Sequence, residues 1–135
     1  MIVVDTNIIG YLFLTSEKST LAEGALERDP LWAAPLLWRS EMRNVLALYL
    51  RKGLLSLDDA GQIMEEATAL MQGQEYGVTS NRVLELVSNS TCSAYDCEFV
   101  ALARDLNVSL VTVDKQILRD FQDTTVPLET FAGGE

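Results

Sequence analysis

The chain has 135 residues, 48% of them hydrophobic and 22% charged, with only three prolines; this fits one domain-sized core and excludes wholesale disorder. Ten Lys and Arg against 20 Asp and Glu leave a net charge of −10, which argues against holding nucleic acid by an overall positive field. No histidine is present, so Ser-His and Cys-His nucleophiles, imidazole metal ligands and His general bases are all excluded.

In chain order, Ile2-Val3-Val4 reads as a short β-branched strand ending at Asp5, followed by a helix over 7–14 and a second over 17–28. Leu31 to Ala34 is a strand candidate stopped by Pro35. A helical pattern over 36–52 ends at Gly53, and another over 56–72 has Ser56 as N-cap with Asp58 and Asp59 in its first turn. A short strand is expected over 76–78 and a helix over 80–89. Ser93 opens a helix reaching Leu106, Ser109 to Val113 is the clearest strand, and 115–121 a short helix. Thr125 to Leu128 suits an edge strand, since proline cannot donate to a central ladder. Strands alternating with helices predict an α/β fold: a single domain over 1–135 with a mostly parallel sheet of four or five strands flanked by helices.

The longest uncharged stretch, Thr6 to Ser16, has 11 residues, too few to span a bilayer. No basic region precedes it, so no secretion signal is expected. Cys92 and Cys97 make no disulfide framework, and a reduced, cytoplasmic compartment is the expectation.

Four carboxylates carry the functional argument. Asp5 and Asp114 fall at the carboxyl ends of predicted parallel strands, where ligands bind in open sheets. Each also has a plain structural reading, as N-cap of the helix that follows. On a helical wheel, Glu41 falls in the middle of an apolar stripe, within about 40° of Leu37, Val45 and Leu48, with Arg39 and Arg43 behind it. Asp96 falls near Val100 and Ala103, whereas Glu98 and Asp105 point backwards to solvent. A core-facing carboxylate costs several kcal/mol unless a cation or several donors meet it. The structural alternatives are an arginine salt bridge for Glu41 and helix-start chemistry with Ser93 for Asp96. Together, four acids without a histidine point to an all-oxygen site of the kind that Mg²⁺ or Mn²⁺ prefers.

The same residues resemble the PIN domain family and, within it, the toxin ribonucleases of VapBC-type toxin–antitoxin pairs. The resemblance lies in Ile2-Val3-Val4-Asp5-Thr6-Asn7, Ser40-Glu41-Met42-Arg43-Asn44-Val45-Leu46, the run from Tyr95-Asp96-Cys97 to Ala103, and Leu110-Val111-Thr112-Val113-Asp114, and it covers nearly the whole chain. It implies a metal-dependent endoribonuclease, a hydrolase in which Asp5, Glu41, Asp96 and Asp114 hold one or two Mg²⁺ or Mn²⁺ ions. Thr112 would support the cluster, and Thr6 and Asn7 would orient the first acid. The resemblance further implies an RNA substrate and a cognate antitoxin whose tail presents a basic residue to the acid cluster. The apolar run Tyr11 to Leu14 offers that tail a hydrophobic anchor beside it, exposed apolar surface favours a homodimer, and no membrane partner is expected. Two departures stand out: Cys97 replaces the usual small residue after the third acid, and Lys115-Gln116-Ile117 replaces a further acid that many relatives carry beyond the fourth. The alternatives that stay open are a catalytically silent or solitary PIN-like binding or scaffold module, and a structure-specific DNA nuclease. Trp32 and Trp38 are expected in packing rather than on a base, and Arg39 and Arg43 in solvated salt bridges.

Overall fold

A computed structural model describes residues 1–133. Three hydrophobic strands form the middle of its sheet. β1 (Ile2–Val4) pairs in parallel with β2 (Trp32–Pro35) on one side and β4 (Leu110–Thr112) on the other. All three are buried along their length, so each reads as a continuous apolar run, as a parallel strand covered on both faces must. The two-residue β3 (Glu75–Tyr76) extends the sheet beyond β2, and β5 (Thr125–Pro127) closes the far edge, giving the order β3-β2-β1-β4-β5, parallel throughout. Pro127 sits on an edge strand, where its missing N–H leaves no central ladder incomplete.

Eight helices flank the sheet among the described residues: α1 (Thr6–Phe13), α2 (Ser19–Arg28), α3 (Leu37–Arg51), α4 (Leu57–Leu70), α5 (Ser80–Ser88), α6 (Ala94–Leu106), α7 (Lys115–Asp120) and α8 (Leu128–Ala132). Their ends follow local chemistry. Ser56 accepts from the Asp59 N–H at 3.1 Å while Asp59 reaches back to the Ser56 N–H, a reciprocal capping box. Ser93 caps α6 through the Asp96 N–H at 3.1 Å, and Asn107 ends that helix in the left-handed region at φ 56°. Gly53, at φ 72°, follows α3 in a turn that side chains rarely adopt.

α6 lies across β1, β2 and β4 with α5 behind it, and α8 packs against β4, β5 and α2. The α8 helix was not expected: five residues directly after a proline are too few to show a helical period. The strand expected over 76–78 begins and ends earlier, at 75–76. Trp32 and Trp38 are fully buried, as anticipated for packing residues. Tyr11, Leu12 and Phe13 are half-buried and Leu14 buried against the core, so this run is not a free apolar anchor. No helix among the described residues is long and apolar enough to cross a membrane.

Candidate active site

The sheet order reverses direction between β1 and β4, because the chain first runs outward through β2 and β3 and then crosses back. A crevice opens outside the strand ends at such a switch point. Here it is a cavity of about 540 Å³ lined by Asp5, Glu41, Asp96 and Asp114, with Thr6 and Asn7 beside them. Four elements contribute the four acids: the residue after β1, helix α3, helix α6, and the loop from β4 into α7. Thr112 lies beneath the cavity, fully buried.

Asp5 is 7% exposed. Its Oδ1 accepts from the Ile8 N–H at 3.3 Å and its Oδ2 from the Thr112 hydroxyl. Burial pushes its pKa up to about 6 against the pull of those two donors, and the charges of Asp114 and Glu41 push the same way. The plain reading of Asp5 as N-cap of α1 is therefore true, and the same carboxylate still faces the cavity. Asp114 is likewise both. Its Oδ1 caps α7 through the Gln116 and Ile117 N–H groups at 2.9 and 3.0 Å, and its own N–H donates to Thr112 Oγ1 at 3.0 Å. Thr112 thus ties the acids after β1 and β4 to one hydroxyl.

Glu41 makes no salt bridge among the described residues. Its Oε1 accepts from the Thr6 hydroxyl at 2.7 Å, so Thr6 serves Glu41 rather than Asp5. Burial and the charge of Asp96 raise the Glu41 pKa. The stripe that α3 buries is Trp38, Met42 and Leu46, spaced by four, and Glu41 stands beside it. Leu37 and Val45 line the cavity, while Leu48 is 49% exposed. The apolar face drawn around Glu41 is thus a cavity wall and not the middle of the core. Asp96, half-buried on the first turn of α6, has its pKa raised by burial and by Asp114. Asp105 pairs with Arg82 at 2.7 Å on the far side of that helix. Glu98 departs from expectation: it is partly buried in the groove beside β3, and the charge of Glu41 reaches it.

Sequence reasoning assigned no role to Ser40, Asn44, Tyr95 and Phe99, which also line the cavity. The signal was available, since Asn44 follows Glu41 by three residues on one helix face and Tyr95 directly precedes Asp96. Cys97 is fully buried against Ser90, consistent with packing, and Cys92 has its thiol pushed up to about 12 by burial and then by Asp120.

No Lys or Arg lines the cavity, and no acid of the four joins an ion pair among the described residues. Asp5, Glu41 and Asp96 are each raised in part by a neighbouring member of the set. Carboxylates that repel one another without a protein cation have the donor chemistry of a hard divalent ion site. As they stand, no three acidic or sulfur groups among the described residues are gathered tightly enough to hold an ion.

A family model described as the PIN domain matches residues 2–122. The chain belongs to the PIN domain family. This PIN domain is 28% identical over 129 residues to Ribonuclease VapC3 of Pyrobaculum aerophilum, across 93% of this chain and 98% of that relative. Its fold is similar to the crystal structure of PAE2754 from the same organism, at TM-score 0.75 and 18% identity, over 98% of this chain and 93% of the other. It is also similar to a toxin–antitoxin complex from Klebsiella pneumoniae, at TM-score 0.67 and 20% identity, covering 95% and 98% of the two chains. At those identities the two structures bear on the fold.

Proposed function

We propose that this PIN domain is a ribonuclease that hydrolyses RNA phosphodiester bonds with the help of Mg²⁺ or Mn²⁺, and that it is the toxin of a toxin–antitoxin pair. The observation that carries the reading is the convergence of four carboxylates on one cavity without a neutralising Lys or Arg. Family membership and the ribonuclease relative support it. Asp5, Glu41, Asp96 and Asp114 would hold one or two ions by drawing closer together than the spacing they have here. A bound ion supplies activated water and offsets charge on the phosphate. The chain's own residues set the ligands in place. Thr112 and the Ile8 N–H fix Asp5, the first turn of α7 fixes Asp114, and the Thr6 hydroxyl fixes Glu41. Asn7 brings a neutral amide to the rim, where it can meet sugar and phosphate oxygens without repelling the ions.

Partners follow from the same reading. The complex seen for a similar fold supports a cognate antitoxin, and the exposed Leu48, Leu54 and Leu57 around the end of α3 favour a second copy. Cytoplasm is the compartment, where two unbonded thiols stay reduced. The test is cleavage of single-stranded and structured RNA with Mg²⁺, with Mn²⁺ and with chelator, alongside co-expression with the adjacent open reading frame. Cleavage with either ion and none in chelator is expected. Wild-type protein that cleaves no RNA under any condition ends the ribonuclease reading, and one that copurifies with nothing and is harmless alone ends the toxin reading.

A further inference from the structure

We infer that Tyr95 is a stacking platform for one unpaired base of the RNA, beside the phosphate that lies over the acids, so that the substrate must present a single-stranded segment there. The inference rests on the ribonuclease reading and deepens it. Among the described residues Tyr95 is the aromatic side chain left exposed, at 63%. Both tryptophans are buried, and the remaining Phe and Tyr residues are buried or half-buried. Tyr95 stands outside the core and the side chains packed around it, yet it lines the acid cavity one residue before Asp96, on the first turn of α6. Its position is thus tied to that of a site carboxylate by the helix backbone.

The cavity's composition gives the ring its purpose. With no Lys or Arg in its walls, the cavity offers an RNA chain no side-chain cation, so apart from bound ions the contacts made there are neutral ones. Stacking is such a contact, because every base has a π-face and the interaction needs no charge. Ser40 and Asn44 on α3, in the same cavity, supply hydroxyl and amide groups suited to base or sugar edges. A base inside a duplex has both faces covered, so only a loop, bulge or single strand can use the ring.

The experiment uses single-stranded RNA carrying 2-aminopurine at successive positions, mixed with the full chain and Mg²⁺, with cleavage and fluorescence both recorded. Expected is quenching at one position before cleavage, for wild type and Tyr95→Phe alike. Tyr95→Ala should lose the quenching and raise KM by about 5- to 150-fold, with kcat unchanged and the same ratio at low and high salt. Its melting temperature should match wild type, as should the KM of an Asp105→Asn control. Equal KM and quenching in Tyr95→Ala, or equal cleavage of the same sequence within a duplex, overturns the stacking role while the ribonuclease reading stands. A Tyr95→Ala chain that cleaves normally but no longer copurifies with the adjacent gene's product also overturns it, and makes Tyr95 a protein-docking residue. Wild type that neither quenches nor cleaves any RNA overturns both readings.

Discussion

Asp5 is a carboxylate placed where charge is expensive, and its titration states the cost. Its pKa is raised from the ordinary 3.8 to about 6 by burial, so the folded state holds the proton more tightly than the unfolded chain. The associated stability is complete below about pH 4 and is lost as the pH rises through about 6, a loss on the order of 3 kcal/mol above that range. Asparagine should recover much of it: the amide oxygen can accept from the Ile8 N–H and the amide nitrogen can donate to Thr112. In chelator, Asp5→Asn should melt above wild type at pH 7.5, with the gap closing as the pH falls from 7 to 5. Melting curves across that range decide it, and a gap independent of pH would show that the charge is not the cause. Asp120 should behave in the opposite sense. The hydroxyl and N–H of Thr91 hold its pKa down at about 2, so its contribution is present at neutral pH and lost as the pH falls from about 4 to 2. Thr112 tests the other half of the site. Thr112→Val keeps shape but leaves the Asp114 N–H and one Asp5 oxygen without their partner. Losing such an orienting contact should lower RNA cleavage by about 10- to 100-fold, whereas Thr112→Ser should restore most of it.

At the scale of elements, much of the frame was legible because parallel strands are written as short apolar runs. Ile2–Val4 and Leu110–Thr112 announced themselves that way, and with them the positions of Asp5 and Asp114 at the strand ends. The helical wheel of α3 misled for a physical reason. Leu37 and Val45 are apolar because they wall a cavity, and a periodic pattern cannot tell a cavity wall from a core. Non-local pairs were out of reach of any local pattern: Thr6 meets Glu41 across 35 positions, and Glu75 meets both Trp38 and Arg39 across more than 35. That second tie bears on how α3 is held. Glu75, on the two-residue strand β3, accepts from the Arg39 guanidinium at 2.5 and 2.7 Å and from the buried Trp38 indole N–H at 2.8 Å. Arg39 is 39% exposed, so its ion pair is largely screened and contributes little. The indole contact dominates, because without Glu75 a buried N–H has no partner. Glu75→Ala should therefore cost about 1–3 kcal/mol, and Arg39→Ala distinctly less. On α6 the elements separate function from framework. Asp96→Asn should lower RNA cleavage by at least about 100-fold, while Asp105→Asn, which removes only a surface pair with Arg82, should leave it unchanged.

The whole molecule carries −10, and two divalent ions would bring it only to −6. Binding at the cavity must therefore be distinguished from general relief of an acidic surface, which any salt provides. Screening depends on ionic strength, whereas a site depends on the ion and on the acids that hold it. An ion that binds only the folded chain stabilises it by about 2.7 kcal/mol at a hundred times its dissociation constant, which for a chain of this size means a rise of roughly 10 °C. Mn²⁺ or Mg²⁺ should give that rise in wild type while NaCl at matched ionic strength gives little. The same titration of Asp5→Asn and Asp96→Asn should be much flatter, although both variants begin from a higher melting temperature in chelator because a repelling charge is gone. Asp58→Asn, on the exposed face of α4, removes the same charge far from the cavity and should leave the response to Mn²⁺ intact. If NaCl raised the melting temperature as far as Mn²⁺ does, or if Asp58→Asn flattened the response as much as Asp96→Asn, the four carboxylates would be ordinary surface charge rather than a place for an ion.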